Sequence, residues 1–278
     1  MDVSINYEGK IDALKYIKNA GFDGVDFCIC DWQWYDNFDC KEYHDLIMKR
    51  YNAIKELGLK ITQTHIPYRG AHQEPVGDGS YKAYEDLMLP LFIRGIELSG
   101  EVGGRTAVLH PYFEDSREGT QKGNIETIEK LLPICEKNDI ILSLENVFGN
   151  HSSEAYSSTA EDLLYYIDYF KSPYLGVCLD TGHAKVRDQV PMEMLKKLGK
   201  SVTALHINTN YANVDVHSLP YMLSGVDHVD WKDIANTLKQ NDYKGAFNLE
   251  VAIPGQLNEK AREAFFVMAY EIAKDILE

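Results

Sequence analysis

Six short apolar runs in this 278-residue chain end in an imidazole or a carboxylate: His65, His110, Glu145, Asp180, His206 and Glu250. The last four runs alternate. Leu142 and Leu144 take one side and Ser143 and Glu145 the other; Val177 and Leu179 oppose Cys178 and Asp180. The same period of two groups Ala204 with His206 and Asn248 with Glu250. A single ionisable strand end is an ordinary polar cap. Six brought together lose solvation and repel unless something compensates. A divalent cation is the simplest compensator. Mixed carboxylate and imidazole donors suit zinc, manganese, iron or cobalt better than calcium, which prefers oxygen alone. More donors adjoin the six. His183 follows one turn after Asp180 in Asp180-Thr181-Gly182-His183, and the spacing of Asp215 and His217 lets both face one way. His44, His72, His151 and His228 match no strand end and read as surface or supporting residues.

For six strand ends to meet, the strands must run parallel around one axis. The pattern predicts strands over residues 3–5, 24–30, 60–66, 106–110, 140–145, 175–180, 202–207 and 246–251. Helical patterns fill 10–20, 41–57, 81–101, 124–138, 159–170, 191–198, 231–241 and 258–277, with Pro90 expected to kink or split the third. Eight strand–helix units without a linker or composition break predict the α/β class, as a single (β/α)8 TIM barrel over 1–278. Such barrels carry their chemistry at the C-terminal strand ends, where all six residues fall.

Composition narrows the partners. With 28 Lys and Arg against 43 Asp and Glu, the net charge of −15 opposes a nucleic-acid backbone. No apolar stretch approaches the ~20 residues of a membrane span. The N-terminus lacks the basic segment and apolar run of a secretory leader. The five cysteines fit no disulfide or zinc-finger spacing and read as reduced thiols, with Cys28 and Cys30 packed inward, so a cytoplasmic setting is expected. Nothing resembles a nucleotide-binding glycine loop, and Arg69 is the one obvious cation at the rim.

Glu145-Asn146, Gly176-Val177-Cys178-Leu179-Asp180-Thr181-Gly182-His183-Ala184, His206, Asp215-Val216-His217, Val229-Asp230-Trp231 and Leu249-Glu250 together resemble the xylose-isomerase-like TIM-barrel superfamily. That grouping holds sugar isomerases and epimerases, hydroxypyruvate isomerase, inosose dehydratase and endonuclease IV. The resemblance runs from Ala13 to about Glu250 and implies a metal held by Glu145, Asp180, His206 and Glu250. It also implies that Glu145 and Glu250 double as the acid and base. In endonuclease IV a three-zinc cluster adds the positions matching His65, His110, His183, Asp215 and His217, all present here. The expected cofactor is therefore a divalent ion, zinc, manganese or cobalt, with one ion favoured and up to three accommodated. The five added residues either hold a second metal or contact substrate. After Asp215 and His217 the superfamily has a Gly-x-Gly turn, of which only Gly225 remains.

The loop after the second strand, Asp31-Trp32-Gln33-Trp34-Tyr35-Asp36-Asn37-Phe38-Asp39, has three acids, four aromatics and no basic residue. It would repel phosphates while its rings stack on a sugar, so Trp32, Trp34 and Tyr35 are expected to form a substrate lid. These features favour a metal-dependent isomerase or epimerase that converts a small sugar, polyol or keto compound through an enediolate. The expected partner is a carbohydrate, with neither nucleic acid nor membrane, and a homo-oligomer is allowed. The alternative is an endonuclease IV-like multi-zinc hydrolase of phosphodiesters at abasic DNA. A barrel that binds metal or sugar without catalysis is the third reading.

Overall fold

The computed structural model describes residues 1–278 except Glu8, 70–75, Asp78, 149–155, Ser224, Val226 and Asp227. His72 and His151 lie outside the described residues. Eight strands form the barrel: β1 (Val3–Tyr7), β2 (Gly24–Cys28), β3 (Lys60–His65), β4 (Thr106–Leu109), β5 (Ile141–Glu145), β6 (Leu175–Asp180), β7 (Val202–His206) and β10 (Phe247–Leu249). They are parallel and pair in the order β10-β1-β2-β3-β4-β5-β6-β7. The ring closes at Ile207, whose N–H donates to the Asn248 carbonyl (2.8 Å) and whose carbonyl accepts from Glu250 N (3.1 Å). Around it lie α1 (Leu14–Ala20), α2 (Lys41–Glu56), α3 (Tyr81–Glu101), α4 (Arg117–Asn138), α5 (Ala160–Phe170), α6 (Thr181–Val186), α7 (Pro191–Leu198), α8 (Trp231–Gln240) and α9 (Glu259–Leu277). Among the described residues no helix is long and apolar enough to cross a membrane.

Strand alternation sorts the side chains into two cores. Leu142, Leu144, Val177, Leu179 and Leu205 join the large core shared with the helices. Val108, Cys178 and Ala204 form a separate small cluster of fully buried side chains. The β6–β7 register slips between Val177 and Cys178, leaving Thr203 without a partner. That bulge brings Thr203 Oγ1 within 2.6 Å of Ser143 Oγ, a placement simple alternation does not give.

Several expectations need correction. α3 and α4 run unbroken through Pro90 and Pro133. Both prolines are exposed, as are Asp86 and Glu129 four residues earlier, so the carbonyls they release face solvent. α4 begins at Arg117 rather than at 124, because the Ser116 side chain accepts from Gly119 N and starts the helix early. The loop after β7 contains an antiparallel hairpin, β8 (Thr209–Tyr211) and β9 (Val214–Ser218), with Asn213 left-handed at its tip (φ 62°). Cys28 and Cys30 are joined by a disulfide rather than held as two thiols. Alternation puts both sulfurs on one strand face, and the Cα separation of 5.3 Å is one a disulfide spans.

Candidate active site and metal centre

Parallel strands deliver the predicted donors to one end of the barrel. β3 ends in His65, β5 in Glu145, β6 in Asp180 and β7 in His206; His110 and Glu250 each follow directly on a strand. Asp180 also caps α6. Its Oδ1 accepts from His183 N (2.6 Å), which turns the chain at once and sets the His183 ring over the site. The β8–β9 hairpin brings Asp215 and His217 back over the barrel mouth. His217 adopts φ 46°; its carbonyl accepts from Ala252 N (2.8 Å) and its Nδ1 donates to the Glu250 carbonyl (3.1 Å). The hairpin is thereby fastened beyond β10, although only Gly225 remains of the expected Gly-x-Gly turn.

Glu145 is the hub of the cluster. Its Oε1 lies 3.0 Å from His183 Nδ1 and 3.1 Å from His206 Nδ1; its Oε2 lies 3.1 Å from His110 Nε2 and 3.6 Å from His65 Nε2. Glu250 Oε2 is 3.3 Å from both His206 Nδ1 and His217 Nδ1. Asp215 contacts His217 Nε2 at 3.0 Å and His183 Nε2 at 3.8 Å. Among the described residues five groups have ligand atoms mutually within 4.8 Å, and three of them take in all nine predicted donors: Glu145, Asp180, His206 and Glu250; His65, His110 and Glu145; and His183, Asp215 and His217. All nine predicted donors are therefore brought together, in three groups joined through Glu145 and by close contacts between histidines and carboxylates.

These residues fit a cation. Glu145 Oε1 and Oε2, His183 Nδ1, His206 Nδ1 and Glu250 Oε2 are buried without an aligned hydrogen bond, although charged atoms lie close by. Buried polar atoms left in this state are costly, and lone pairs aimed into a shared space are what a metal satisfies. The electrostatics agree. Burial pushes Glu145 up, yet His206, His110 and His183 outweigh it and hold the carboxyl well below its usual range. Burial opposes charge on His206 and His183 too; Cys178, then Glu250, Glu145 and Asp26, raise His206, and Asp180, Asp215 and Glu145 raise His183, both well above the ordinary imidazole value. Glu250 and Asp215 carry His217 up to about 12 against burial. Asp180 is the exception: burial pushes it up to about 7.

Supporting residues hold this set in place. Asn146 clasps the Asp180 backbone, donating to its carbonyl (2.8 Å) and accepting from its N–H (2.7 Å). Asn208 Nδ2 donates to Asp180 Oδ2 (2.9 Å). Asn210 donates to Asp215 Oδ1 (2.8 Å) and accepts from His217 N (2.7 Å). Asp26 meets His206 Nε2 at 3.2 Å. None of these four was picked out from the sequence as a site residue. Period two was the available signal: Asn208 and Asn210 continue the face of His206, and Asp26 shares that of Cys28.

Above the cluster opens a cavity of about 550 Å³, a size that suits a small molecule. Its walls include Tyr7, Tyr68, Phe113 and Phe148 with Asn6 and Arg69; Glu145 and Glu250 line it, whereas Asp180 and His206 sit behind them. Trp32, Trp34 and Tyr35 do not line it. They lie in a 3-10 turn, Trp32–Asn37. Trp34 packs on Tyr43, Trp32 is 75% exposed, and Tyr35 hydroxyl bonds both the N–H and the carbonyl of Tyr68. Tyr35 thus reaches the site only through Tyr68, whose ring packs on His65 and His110 (centroids 4.9 and 4.4 Å). Of the other histidines, His44 pairs with Glu101 and His228 is exposed.

Comparison with known proteins bears on this arrangement. A D-psicose 3-epimerase from Enterocloster bolteae is 22% identical over 254 residues, 88% of this chain and 75% of that one. A probable endonuclease 4 from Mycoplasmopsis pulmonis is 32% identical over 120 residues, 40% of this chain and 43% of the relative. The chain spans 56% of the length of a further relative, the Sinorhizobium fredii protein y4fM. The crystal structure of D-psicose 3-epimerase from Clostridium cellulolyticum H10 with D-tagatose superposes with a TM-score of 0.76 over 100% of both chains at 13% identity, a likeness of fold. The family model described as xylose isomerase-like TIM barrel matches residues 14–269, and the chain belongs to that family.

Proposed function

We propose that the chain is a divalent-metal-dependent isomerase or epimerase of a small sugar or related keto compound, with Glu145 and Glu250 as the proton-transferring pair. One observation carries the reading. Of the four residues in the Glu145, Asp180, His206 and Glu250 group, the two glutamates line the cavity and the other two lie behind them. Asp180 and His206 anchor; Glu145 and Glu250 can reach substrate. A cation bound there supplies charge to polarise a carbonyl and to balance the negative oxygen that follows proton loss. One carboxylate takes the proton from the carbon next to the carbonyl, and the electron pair left behind moves onto the carbonyl oxygen to give the enediolate. The other returns a proton. Delivery to the former carbonyl carbon, with the hydroxyl proton of the carbon that lost hydrogen passing to the former carbonyl oxygen, isomerises; delivery to the opposite face of the same carbon epimerises. The aromatic walls from Tyr68, Phe113 and Phe148 exclude water and offer apolar faces to sugar C–H groups. The similarity to D-psicose 3-epimerases supports the substrate class.

Three adjacent donor groups, two of them sharing Glu145, favour a second reading, hydrolysis of a phosphodiester at several metals, to which the endonuclease 4 relatives also point. The charge of −15, with Arg69 as the one basic side chain other than histidine among the described cavity walls, weighs against it. The test is incubation of metal-loaded protein with a ketose panel and, separately, with abasic duplex DNA, each with and without chelator. Chelator-sensitive appearance of a new sugar by NMR supports the first reading. Chelator-sensitive nicking of DNA with no sugar converted replaces it by the second.

A further inference from the structure

Asp26 on β2 is 3% exposed, borders the cavity beside the cluster, and takes no part in the proton transfers proposed above. Its Oδ2 has three neighbours: Gln63 Nε2 at 2.8 Å, His206 Nε2 at 3.2 Å and Asn248 Nδ2 at 3.3 Å. Which of them donate is fixed from outside the trio. Gln63 spans the barrel from β3 to β7, where its Oε1 accepts from Leu205 N (3.4 Å) and its Nε2 donates to the Leu205 carbonyl (3.2 Å). A peptide N–H only donates and a carbonyl only accepts, so the amide end of Gln63 that faces Asp26 is the NH₂. Asn248 Oδ1 takes the Ser4 hydroxyl (2.8 Å), which leaves its Nδ2 for Asp26. An oxygen that already receives two amide donors is an acceptor, so the His206 nitrogen facing it must carry hydrogen. Nδ1 is then the nitrogen that can present a lone pair. It faces Glu145 Oε1 at 3.1 Å, Glu250 Oε2 at 3.3 Å and Asp180 Oδ2 at 3.9 Å, with no aligned hydrogen bond of its own.

We propose that Asp26 is the positioning residue of the metal site. Held by Gln63 and Asn248, it keeps hydrogen on His206 Nε2 and so delivers Nδ1 as the ligand. The polarity of the relay is set by the backbone of Leu205, the residue before His206, so the network fixes both the tautomer and the strand that carries it. The inference rests on the metal reading of the site, not on the identity of any substrate.

Ligand-orienting carboxylates of this kind are worth about 10–100-fold in metal affinity. The experiment titrates Zn²⁺ against a chromophoric chelator for the wild type, Asp26→Asn and His206→Ala, and records ¹⁵N-histidine NMR of the zinc-loaded wild type. The binding step lost in His206→Ala should weaken by about 10–100-fold in Asp26→Asn, whose amide can offer Nε2 a donor in place of an acceptor. The His206 signals, assigned by their loss in His206→Ala, should show a protonated Nε2 and a metal-shifted Nδ1. That spectrum needs no Asp26 variant and stands even if Asp26→Asn folds poorly. Unchanged affinity in a folded Asp26→Asn, or a proton on Nδ1 with Nε2 bound to zinc, overturns the proposal. Neither readout involves sugar, so a chain that converts no ketose leaves it untouched, and its failure leaves the ketose test standing.

Discussion

Placing alanine at residue 182 should destabilise the protein, although glycine to alanine in a helix is ordinarily favourable. Gly182 lies in α6 and has no left-handed backbone that would itself exclude a side chain. Propensity alone predicts a gain of about 1 kcal/mol. A Cβ at that position, however, would stand 1.7 Å from Asn208 Oδ1, 2.8 Å from Asn208 Cγ and 2.6 Å from Asn210 Nδ2. Asn208 cannot yield cheaply. It is fully buried, its N–H and carbonyl are both bonded to Thr181 Oγ1 (3.0 and 2.6 Å), and its Nδ2 holds Asp180. Losing a hydrogen bond to a charged group costs about 1.5–3 kcal/mol, and overpacking adds about 1–3 kcal/mol. The net loss is about 2–5 kcal/mol, a fall in Tm of roughly 3–9 °C for a chain of this length. Scanning calorimetry of metal-free Gly182→Ala measures it directly. Gly255→Ala is the control, because a Cβ there meets nothing within 4 Å and the change should be small. Zinc affinity should fall as well, since Asn208 and Asn210 between them support Asp180, Asp215 and His217. A Gly182→Ala protein as stable as the wild type, with undiminished zinc affinity, would refute the claim that this glycine exists to admit the two asparagines.

Metal loading should weaken as pH falls below about 7, because a proton on Asp180 competes with the cation; zinc titrations at stepped pH check it. The same shift acts in the opposite sense on the metal-free fold. A carboxyl raised from 3.8 to about 7 contributes stability that is fully present below the lower value and lost as pH rises to the upper one, so chelator should destabilise the protein more at pH 8 than at pH 5. Arg50→Met should cost about 3–5 kcal/mol by stranding Asp31, whose side chain is only 14% exposed. Lys41→Met, which breaks the exposed pair with Asp45, should cost less than about 1 kcal/mol; urea unfolding separates the two. Tyr35→Phe should lower Tm by a few degrees and raise KM without changing zinc stoichiometry, since its hydroxyl braces Tyr68 and no donor group is touched.

The barrel and the six strand-end candidates were legible because both follow from the period of two along strands. Once Leu142 and Leu144 face the helices, Glu145 must face the other way, and the same holds for Asp180 beside Val177 and Leu179. What alternation misses is local. The Thr203 bulge adds a residue and resets the face. The β8–β9 hairpin lies in a stretch with too few apolar residues to show a pattern, and its anchoring to Ala252 and Glu250 comes from distant chain. The aromatic loop has the composition of a lid, but composition does not say which way rings point; Trp34 is committed to Tyr43 and Tyr35 to Tyr68. Disulfide pairing of Cys28 and Cys30 needed the Cα separation, which spacing alone leaves open.

The most direct measurement of the central claim is solvent deuterium exchange into a converted ketose, compared among wild type, Glu145→Gln and Glu250→Gln at matched metal occupancy. The amides keep shape and lose the ability to take a proton, a change that typically costs ~10²–10⁴ in rate. The account predicts deuterium at the carbon next to the carbonyl with wild type. It predicts a loss of that size in each glutamine variant while the sugar still binds, as read by isothermal titration calorimetry. Exchange at wild-type rate in either variant would contradict the assignment of Glu145 and Glu250 as the proton-transferring pair.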